Sequence, residues 1–248
     1  MPPGRCALSV VIPTRDEAPN IEPLVARLSA ALGNLNGGWE VVFVDDSDDD
    51  TPGAIEAATL SGYPVRLLHR EPGDRKGGLG GAVERGFALS QGEVLAVLDG
   101  DLQHPPEVIP ILAGPVLSGE ADLVVGSRYG PGGKEEGLEG PWRRVVSRGF
   151  RWLVHSLVPC SRILQDPLSG LFVLSRSVVE GIALRPEGYK ILLEIVVRGN
   201  WHSVRNVPFT FAARRAGDSK ASLAVGLVFL RHLARLGLAG RRAAERGG

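Results

Sequence analysis

The chain contains very little cysteine: Cys6 and Cys160 are the only two in 248 residues. Two cysteines without a CxxC spacing cannot build a disulfide framework or a cysteine-based zinc site, and they favour a reducing compartment. The first residues, MPPGRCALSVVIP, also lack a basic segment followed by a long apolar one. The sequence therefore predicts no signal peptide and a cytoplasmic location.

Long apolar runs and an excess of charge of one sign are missing as well. The longest apolar run, Ala221 to Leu230, has about ten residues, whereas a helix that spans a bilayer needs roughly twenty. Acidic and basic residues balance at 28 each, so no overall positive charge indicates binding to nucleic acid. The length and composition are those of one large α/β domain.

Several common site motifs are absent. No Walker lysine follows a glycine-rich loop, and neither GxSxG nor HExxH occurs. The acidic run that begins at Asp45 has Thr51 where a calcium-binding EF-hand loop requires glycine. The glycines around Gly78 resemble a dinucleotide fingerprint, but Val83 stands in place of its third glycine. These absences argue against five familiar kinds of site.

Short runs rich in Val and Leu alternate with helical patterns along the first half of the chain. Helical spacing of apolar residues occurs at 21–32, 53–61, 79–90 and 106–118. This alternation predicts a mostly parallel sheet flanked by helices, with ligands bound beyond the carboxyl ends of the strands. The strand runs, which read as buried on both faces, are Ala7 to Ile12, Glu40 to Val44, Val65 to His69, Val94 to Leu98 and Asp122 to Gly126.

The second half is predicted to add a strand at Leu171 to Ser175 and a helix from Tyr189 to Arg198. An alternating segment, Val204 to Phe211, predicts an edge strand. Further on, a helix through 221–238 would place Leu223, Leu227, Leu230, Ala234 and Leu238 on one face, with arginines beside it. That pattern is typical of a helix in a membrane interface, and a helix packed on the protein's own core is the alternative.

The most informative segment follows the run Val94 to Leu98. Asp99 and Asp101 are separated by Gly100, and Gln103 comes two residues later. Carboxylates at this spacing can both reach one hard divalent cation where a strand ends and the backbone turns. Mg²⁺ or Mn²⁺ held by one or two carboxylates keeps positions free for phosphate oxygens. The segment therefore predicts an open metal site with a phosphorylated ligand, although a lone Asp-x-Asp can also be a solvated turn.

Basic residues in or beside glycine-rich turns complement this acidic segment. Arginine offers paired donors that match phosphate, and lysine offers a compact charge. Together with a metal site they predict clamps for phosphate oxygens, whereas each alone would suit a solvated surface. The set is Arg128, Arg143, Arg148, Arg214 and Lys220.

With these residues in place, the chain resembles the GT-A glycosyltransferases of family 2, and within them the dolichol-phosphate and polyprenol-phosphate mannose synthases. The resemblance runs from Ser9 to Leu223 and implies a GT-A fold over residues 1–220, followed by an amphipathic interface helix and tail over 221–248. It rests on motifs in the family's order and spacing: VVIPTRDE, VVFVDDSDDDTP, KGGLGGA, VLDGDLQHPPE, VVGSRY, SRG, QDPLSGLFVLSR, GYKILLEIVVRG and RRAGDSKASL.

Position by position, the resemblance implies a division of labour. Asp101 and Gln103 would be direct metal ligands with Asp99 supporting them, and Gly100 would join them around the donor diphosphate. Asp166 resembles the family's sugar-side acid and Arg128 would act with it. The donor's base and ribose would contact Pro13, Arg15, Glu17, Val44 and Asp46; the acceptor phosphate would contact Arg128, Arg143, Ser147 and Arg148; and Arg214 and Lys220 would close over the donor's phosphates.

What the resemblance implies is transfer of mannose from GDP-mannose to a polyprenyl monophosphate, with Mg²⁺ or Mn²⁺, by a peripheral enzyme on the cytoplasmic face of a membrane. Three alternatives remain at this point. The donor could be UDP-glucose, the acceptor could be a saccharide, or the chain could be a non-catalytic subunit that binds a nucleotide sugar. A saccharide acceptor would require a carboxylate base near the sugar, because a hydroxyl, unlike a phosphate, must lose a proton.

Overall fold

The computed structural model describes residues 6–129, 141–188, 190–212 and 229–238, and for 141–148 the description covers the helical backbone. The strands are β1 (Leu8–Thr14), β2 (Trp39–Asp45), β3 (Val65–His69), β4 (Val94–Val97), β5 (Leu123–Ser127), β6 (Phe172–Ser175) and β7 (Val204–Pro208). The α-helices are α1 (Ala18–Leu32), α2 (Thr51–Leu60), α3 (Gly78–Leu89), α4 (Ile109–Leu117), α5 (Pro141–Leu157), α6 (Ile191–Arg198) and α7 (229–238).

These strands form one sheet in the order β3-β2-β1-β4-β6-β5-β7. All neighbours are parallel except β6, which runs antiparallel to both β4 and β5. The prediction of a mostly parallel sheet flanked by helices is confirmed, and β7 is the edge strand that the alternating segment indicated. Because β6 is reversed, the residues just before it lie at the same edge as the carboxyl ends of β4 and β5.

Alternation along the strands separates two cores, one on each face of the sheet. In β1, Val10 and Ile12 pack against the α1, α2 and α4 side, whereas Val11 packs against the α3 and α6 side. The helical spacing of α1 works in the same way, because its buried Ile21 and Leu28 face the sheet. Burial of each such side chain stabilises the fold by about 1.5–3 kcal/mol. The two cores hold the strand ends in fixed positions.

A third cluster joins α5, α6 and α7, and it contains Val154, Val158, Leu193, Leu233 and Leu236. Phe150 and Phe229 add an edge-on ring contact at 5.7 Å between centroids. Helix α5 contains a basic stretch, Trp142 to Arg151.

The described part of the C-terminal helix has two apolar faces. One face, with Phe229, Leu233 and Leu236, packs on the protein's own core. The face predicted from the sequence is exposed, with Leu230 42% and Leu238 60% accessible. Packing on the protein's own core therefore does occur for α7, through a different face from the predicted one. Contact of the exposed face with a membrane stays a prediction, and Leu223 and Leu227 lie outside the described residues. Within the described ranges, none of the helices combines the length and apolarity needed to cross a membrane.

Candidate active site

The strand order creates a crevice between β1 and β4. From β1 the chain winds outward through β2 and β3, and then returns to place β4 on the other side of β1. Such a change of winding direction leaves a crevice beyond the carboxyl ends of the two strands, where ligands bind in open α/β sheets. The segment Pro13 to Glu17 follows β1, and the segment Asp99 to Gln103 follows β4. The two predicted donor-binding segments therefore flank one crevice.

The turn after β4 is strained and internally bonded. Leu102 has a φ of 60°, a left-handed conformation that is uncommon for a residue with a side chain. Its side chain is buried in the core, and the backbone N–H of Gln103 donates to Asp101 Oδ1 at 3.1 Å. Strain of this kind costs about 1–3 kcal/mol and persists only where surrounding contacts enforce it. The fold therefore fixes the acidic turn before any ligand arrives.

Asp99 lies among groups that favour its charged form. His104 Nδ1 is 3.3 Å from Asp99 Oδ2, and His104 itself is buried against Phe209 and Phe211. Burial acts to raise the pKa of Asp99, but His104, Lys190 and Arg128 outweigh it, so the pKa lies below its usual value. Asp99 is therefore ionised at neutral pH. The sequence analysis did not assign His104 to the site; its position directly after Gln103 was the available signal.

The residues of this turn fit a hard divalent cation. Gln103 Nε2 donates to the carbonyl of Ala212 at 3.3 Å, which leaves the amide oxygen, the atom that such a cation requires, outside that bond. Among the described residues, no three His, Cys, Asp or Glu side chains group together to hold a metal. The protein would thus supply only one or two carboxylates and an amide oxygen. That donor set suits an open Mg²⁺ or Mn²⁺ site shared with phosphate oxygens.

The second half of the site is a buried ion pair between Arg128, directly after β5, and Asp166, in the segment that leads to β6. Arg128 donates to Asp166 through Nε at 2.7 Å and Nη2 at 3.0 Å, and Asp166 is fully buried. The guanidinium carbon also lies 5.3 Å from the ring centre of Phe211. A paired carboxylate and an aromatic face hold a guanidinium in one orientation. Arg128 is therefore fixed at the sheet edge that carries the acidic turn.

Gly170, four residues after Asp166 in the QDPLSG segment, has no room for a side chain. A Cβ built on Gly170 would lie 2.3 Å from Asp99 Oδ2. The QDPLSG segment, which precedes β6, and the acidic turn, which follows β4, are therefore in contact. The sequence motif contained this glycine without indicating that contact.

The donor side contains a further buried ion pair. Asp46, at the end of β2, accepts from Arg70 Nε at 2.7 Å and from Arg70 Nη2 at 2.6 Å. Arg70 also donates to the carbonyl of Gly78 at 3.0 Å, so it ties β2 to the start of α3. Both carboxylate oxygens of Asp46 are thus occupied by Arg70, which the sequence analysis did not include. Arg70 reaches Asp46 from the end of β3, and no local pattern links the two.

The four other predicted contacts of the donor's base and ribose lie on or shortly after β1 and β2. Val44 is buried in β2 beside Pro13 of β1, as the strand register requires. Glu17 Oε2 accepts from Asn20 at 2.6 Å, and Arg15 is largely exposed. The predicted residues Pro13, Arg15, Glu17, Val44 and Asp46 therefore converge on the ends of two neighbouring strands.

Lys190 is a site residue that the sequence analysis quoted within a motif but gave no role. Its Nζ donates to the carbonyl of Leu168 at 2.5 Å. Burial and the positive charge of Arg128 lower the pKa of Lys190 to about 8, partly offset by Asp99 and Asp166. Lys190 thus brings another positive charge to the place where the acidic turn meets the Arg128 pair.

Several predicted phosphate-binding residues are not described at the level of side chains. Arg143, Ser147 and Arg148 lie in α5, where the description covers the backbone alone, and Arg214 and Lys220 lie outside the described residues. Their roles remain predictions.

Comparison with known proteins agrees with this geometry. Residues 9–180 match the family model described as "Glycosyl transferase family 2". A "Dolichol-phosphate mannosyltransferase" from Pyrococcus furiosus is 42% identical over 92% of this chain, which spans 63% of that relative's length. A protein of the same name from Saccharomyces cerevisiae is 35% identical over 92% of this chain and 86% of its own.

A solved structure gives a similar result. The glucosyl-3-phosphoglycerate synthase of Mycobacterium tuberculosis, in complex with Mn²⁺, uridine diphosphate and glucosyl-3-phosphoglycerate, superimposes with a TM-score of 0.63 at 25% identity. The match covers 97% of this chain and 80% of the other. The sheet and its flanking helices are therefore arranged as in known glycosyltransferase structures, and the GT-A fold expected from the sequence is confirmed.

Proposed function

This chain belongs to glycosyl transferase family 2, and we propose that it transfers mannose from GDP-mannose to a polyprenyl monophosphate with inversion at the anomeric carbon. Relatives named dolichol-phosphate mannosyltransferase and polyprenol monophosphomannose synthase support this choice of sugar and acceptor. One observation carries the proposal: an acidic turn that suits a cation and a diphosphate shares its sheet edge with fixed positive charges that suit a second phosphate.

The reaction needs no strong base. The acceptor is a phosphate monoester, whose second pKa is near 6, so it is already anionic at neutral pH. One of its oxygens attacks the anomeric carbon while the bond from that carbon to the donor diphosphate breaks, and the electron pair leaves on the nucleoside diphosphate. Asp166, whose two oxygens both accept from Arg128, would orient that arginine. The reaction thus requires no residue to remove a proton from the nucleophile.

The chief obstacle is repulsion between the two anionic substrates. Two like charges about 4 Å apart repel by roughly 4 kcal/mol at an effective dielectric constant near 20. Arg128 and Lys190 would bind the acceptor phosphate and offset this repulsion, and their fixed positions avoid a cost of reorganisation during the reaction.

The metal site completes the charge balance. Asp101 and Gln103, supported by Asp99, would hold Mg²⁺ or Mn²⁺. When bound, such an ion neutralises charge that develops on the leaving diphosphate. The Mn²⁺ in the mycobacterial synthase structure supports a divalent ion in this fold.

A transfer assay tests the proposal. The protein is incubated with radiolabelled GDP-mannose or UDP-glucose, a short polyprenyl phosphate, and either Mg²⁺ or Mn²⁺, and label is counted in the organic phase. We expect metal-dependent label from GDP-mannose. Label from UDP-glucose instead would show that the donor is UDP-glucose, and a water-soluble glycan product would show that the acceptor is a saccharide. Donor binding without turnover on any prenyl phosphate would favour a non-catalytic subunit.

We also propose that the protein works at a membrane surface. Exposed apolar side chains occur on both α5 and α7, with Trp152 70%, Leu238 60% and Leu230 42% accessible. The exposed Arg231 lies on the same helix as the two leucines. Apolar side chains beside arginines are typical of helices that lie in the headgroup region, and tryptophan favours that depth. Such placement would bring the crevice to the level of a lipid phosphate.

Sedimentation with anionic vesicles tests this surface. We expect Trp152→Ser and Leu238→Ser to reduce the bound fraction, because each removes an apolar group that would contact lipid. Leu60→Ser is the matched control, since Leu60 is 88% exposed but lies on α2. A form that ends at Lys220 should also lose binding. Equal vesicle binding by all of these proteins would refute the proposal that α5 and α7 contact the membrane.

A further inference from the structure

The segment that leads into Lys190 is held between two helices. We name this segment, residues 185–188, the connector. On one side the carbonyl of Gly188 accepts from the N–H of Gly80 at 2.8 Å, at the start of α3. A Cβ on Gly80 would lie 2.7 Å from Cβ of Pro186, so the two chains are in close contact. The connector cannot shift toward α3.

On its other side the connector is bound by α7, where Arg235 makes the larger set of bonds. Arg235 Nη1 lies 2.5 Å from Glu187 Oε1, and Arg235 Nη2 donates to the carbonyl of Arg185. The same Nη2 donates to Glu194 Oε1 at 3.0 Å. Glu194 is fully buried on α6, the helix that begins directly after Lys190. One guanidinium thus joins α7, the connector and α6.

Arg231 provides an internal comparison. It lies one helical turn before Arg235, and its Nε is 3.3 Å from Glu187 Oε2. Its side chain is 75% exposed, against 35% for Arg235. An ion pair as exposed as that of Arg231 contributes little, whereas a guanidinium that bonds a buried carboxylate and a main-chain carbonyl fixes geometry.

We propose that Arg235 is a positioning residue for Lys190: by binding Glu187, the Arg185 carbonyl and Glu194 together, it holds the connector so that Lys190 stays at the acceptor side of the active site. This inference rests on the proposed function. It also means that Arg235 links the helix with the exposed apolar face to a positive charge at the acceptor side of the site.

The first experiment compares Arg235→Gln with Arg231→Gln in the full-length protein. Both variants remove one positive charge from the same helix, and because Arg231 is the more exposed of the two, vesicle binding should fall at least as much in Arg231→Gln as in Arg235→Gln. Because coupling between distinct sites usually changes affinity about 5- to 150-fold, we expect Arg235→Gln to raise the KM for a short polyprenyl phosphate about tenfold. The KM for GDP-mannose and the kcat should change less than about twofold, and Arg231→Gln should show no such split.

A second measurement is independent of the reaction. Hydrogen exchange of the backbone amides of Arg185, Glu187 and Gly188 should become faster in Arg235→Gln than in Arg231→Gln, while the amides of β1 and β4 keep wild-type rates. Glu187→Gln serves as a milder variant, because it weakens one bond from Arg235 to the connector and leaves the bonds to the Arg185 carbonyl and to Glu194 in place. Arg235→Lys keeps the charge but cannot reach all three acceptors, so it should restore part of the acceptor affinity.

The outcomes separate the two proposals. A wild-type protein that forms no lipid-linked product overturns the proposed function. Exchange at 185–188 that is the same in Arg235→Gln and the wild type overturns the positioning role, whatever the transfer assay gives. Equal rises in donor and acceptor KM, or equal effects of the Arg235 and Arg231 variants, would also overturn it.

Discussion

Gly170→Ala should impair the active site through a single methyl group. A Cβ at this position would lie 2.3 Å from Asp99 Oδ2 and 2.8 Å from its carboxyl carbon. Real Cβ atoms essentially never approach another heavy atom within 3.0 Å. Gly170 precedes β6, which pairs with β4, so the sheet restrains both backbones and the Asp99 side chain must move instead.

The size of the effect follows from that displacement. Asp99 must shift by roughly 1 Å, and a misplacement of this size can lower the rate about 100-fold. That loss corresponds to about 2.7 kcal/mol of transition-state stabilisation. The shift also separates Asp99 from His104, now 3.3 Å away. Because the Asp99 side chain is partly exposed, it can move toward solvent, and we expect the free energy of unfolding to fall by less than about 2 kcal/mol.

The assay measures kcat/KM for mannosyl transfer together with Mn²⁺ affinity in the presence of GDP. Gly114→Ala is the matched control, because a Cβ built on Gly114 in α4 meets no atom within 4 Å apart from its chain neighbours and the nearby backbone of its own helix. That variant should keep wild-type transfer. Transfer by Gly170→Ala within threefold of the wild type would refute the contact between Gly170 and Asp99 as a constraint on catalysis.

Three further predictions concern single side chains. Asp101→Asn should abolish transfer at any Mg²⁺ concentration with an unchanged circular dichroism spectrum, and near-normal turnover would contradict its role as a ligand. Arg128→Lys should raise the acceptor KM at least about tenfold, because lysine cannot bond the buried carboxylate through two donors; an unchanged KM would count against the clamp. The N–H groups of His202 and Ser203 hold the pKa of Asp122 below its usual value, so its stabilising effect is complete above that value and disappears as the pH falls through the lowered pKa. Urea unfolding of Asp122→Ala should show a loss of about 2 kcal/mol at pH 7 and a smaller loss below about pH 4, and an equal loss at both would contradict this.

Periodicity predicted the elements well, because it reports which side chains a helix or strand buries. The five strand runs of the first half correspond to β1 to β5, and the predicted helices correspond to α1 to α4 within a few residues. Strand direction is not contained in such a pattern. Leu171 to Ser175 was recognised as a strand, but its reversal depends on the path of more than forty residues after β5.

The candidate site likewise has residues that the sequence predicted and residues that it did not. Asp99, Asp101 and Gln103 were predictable because they follow a strand and are close in sequence. Arg70 was not, since it reaches Asp46 from another strand, 24 residues along the chain. Lys190 and His104 join the site through tertiary packing: one follows the connector, and the other lies against two phenylalanines from beyond β7. Position in the sheet explains the first group, three-dimensional proximity explains Arg70 and Lys190, and His104 also had a signal in the sequence because it follows Gln103 directly.

The reversed strand β6 has a consequence for how substrates enter. It is hydrogen-bonded to β4, which carries the acidic turn, and to β5, which leads to Arg128. The two sides of the proposed reaction centre therefore belong to one sheet, and within the described part of the chain no hinge between lobes separates them. Opening and closing must come from chain segments around the rim, so slow steps of the catalytic cycle would be altered by changes in those segments rather than by changes in the sheet.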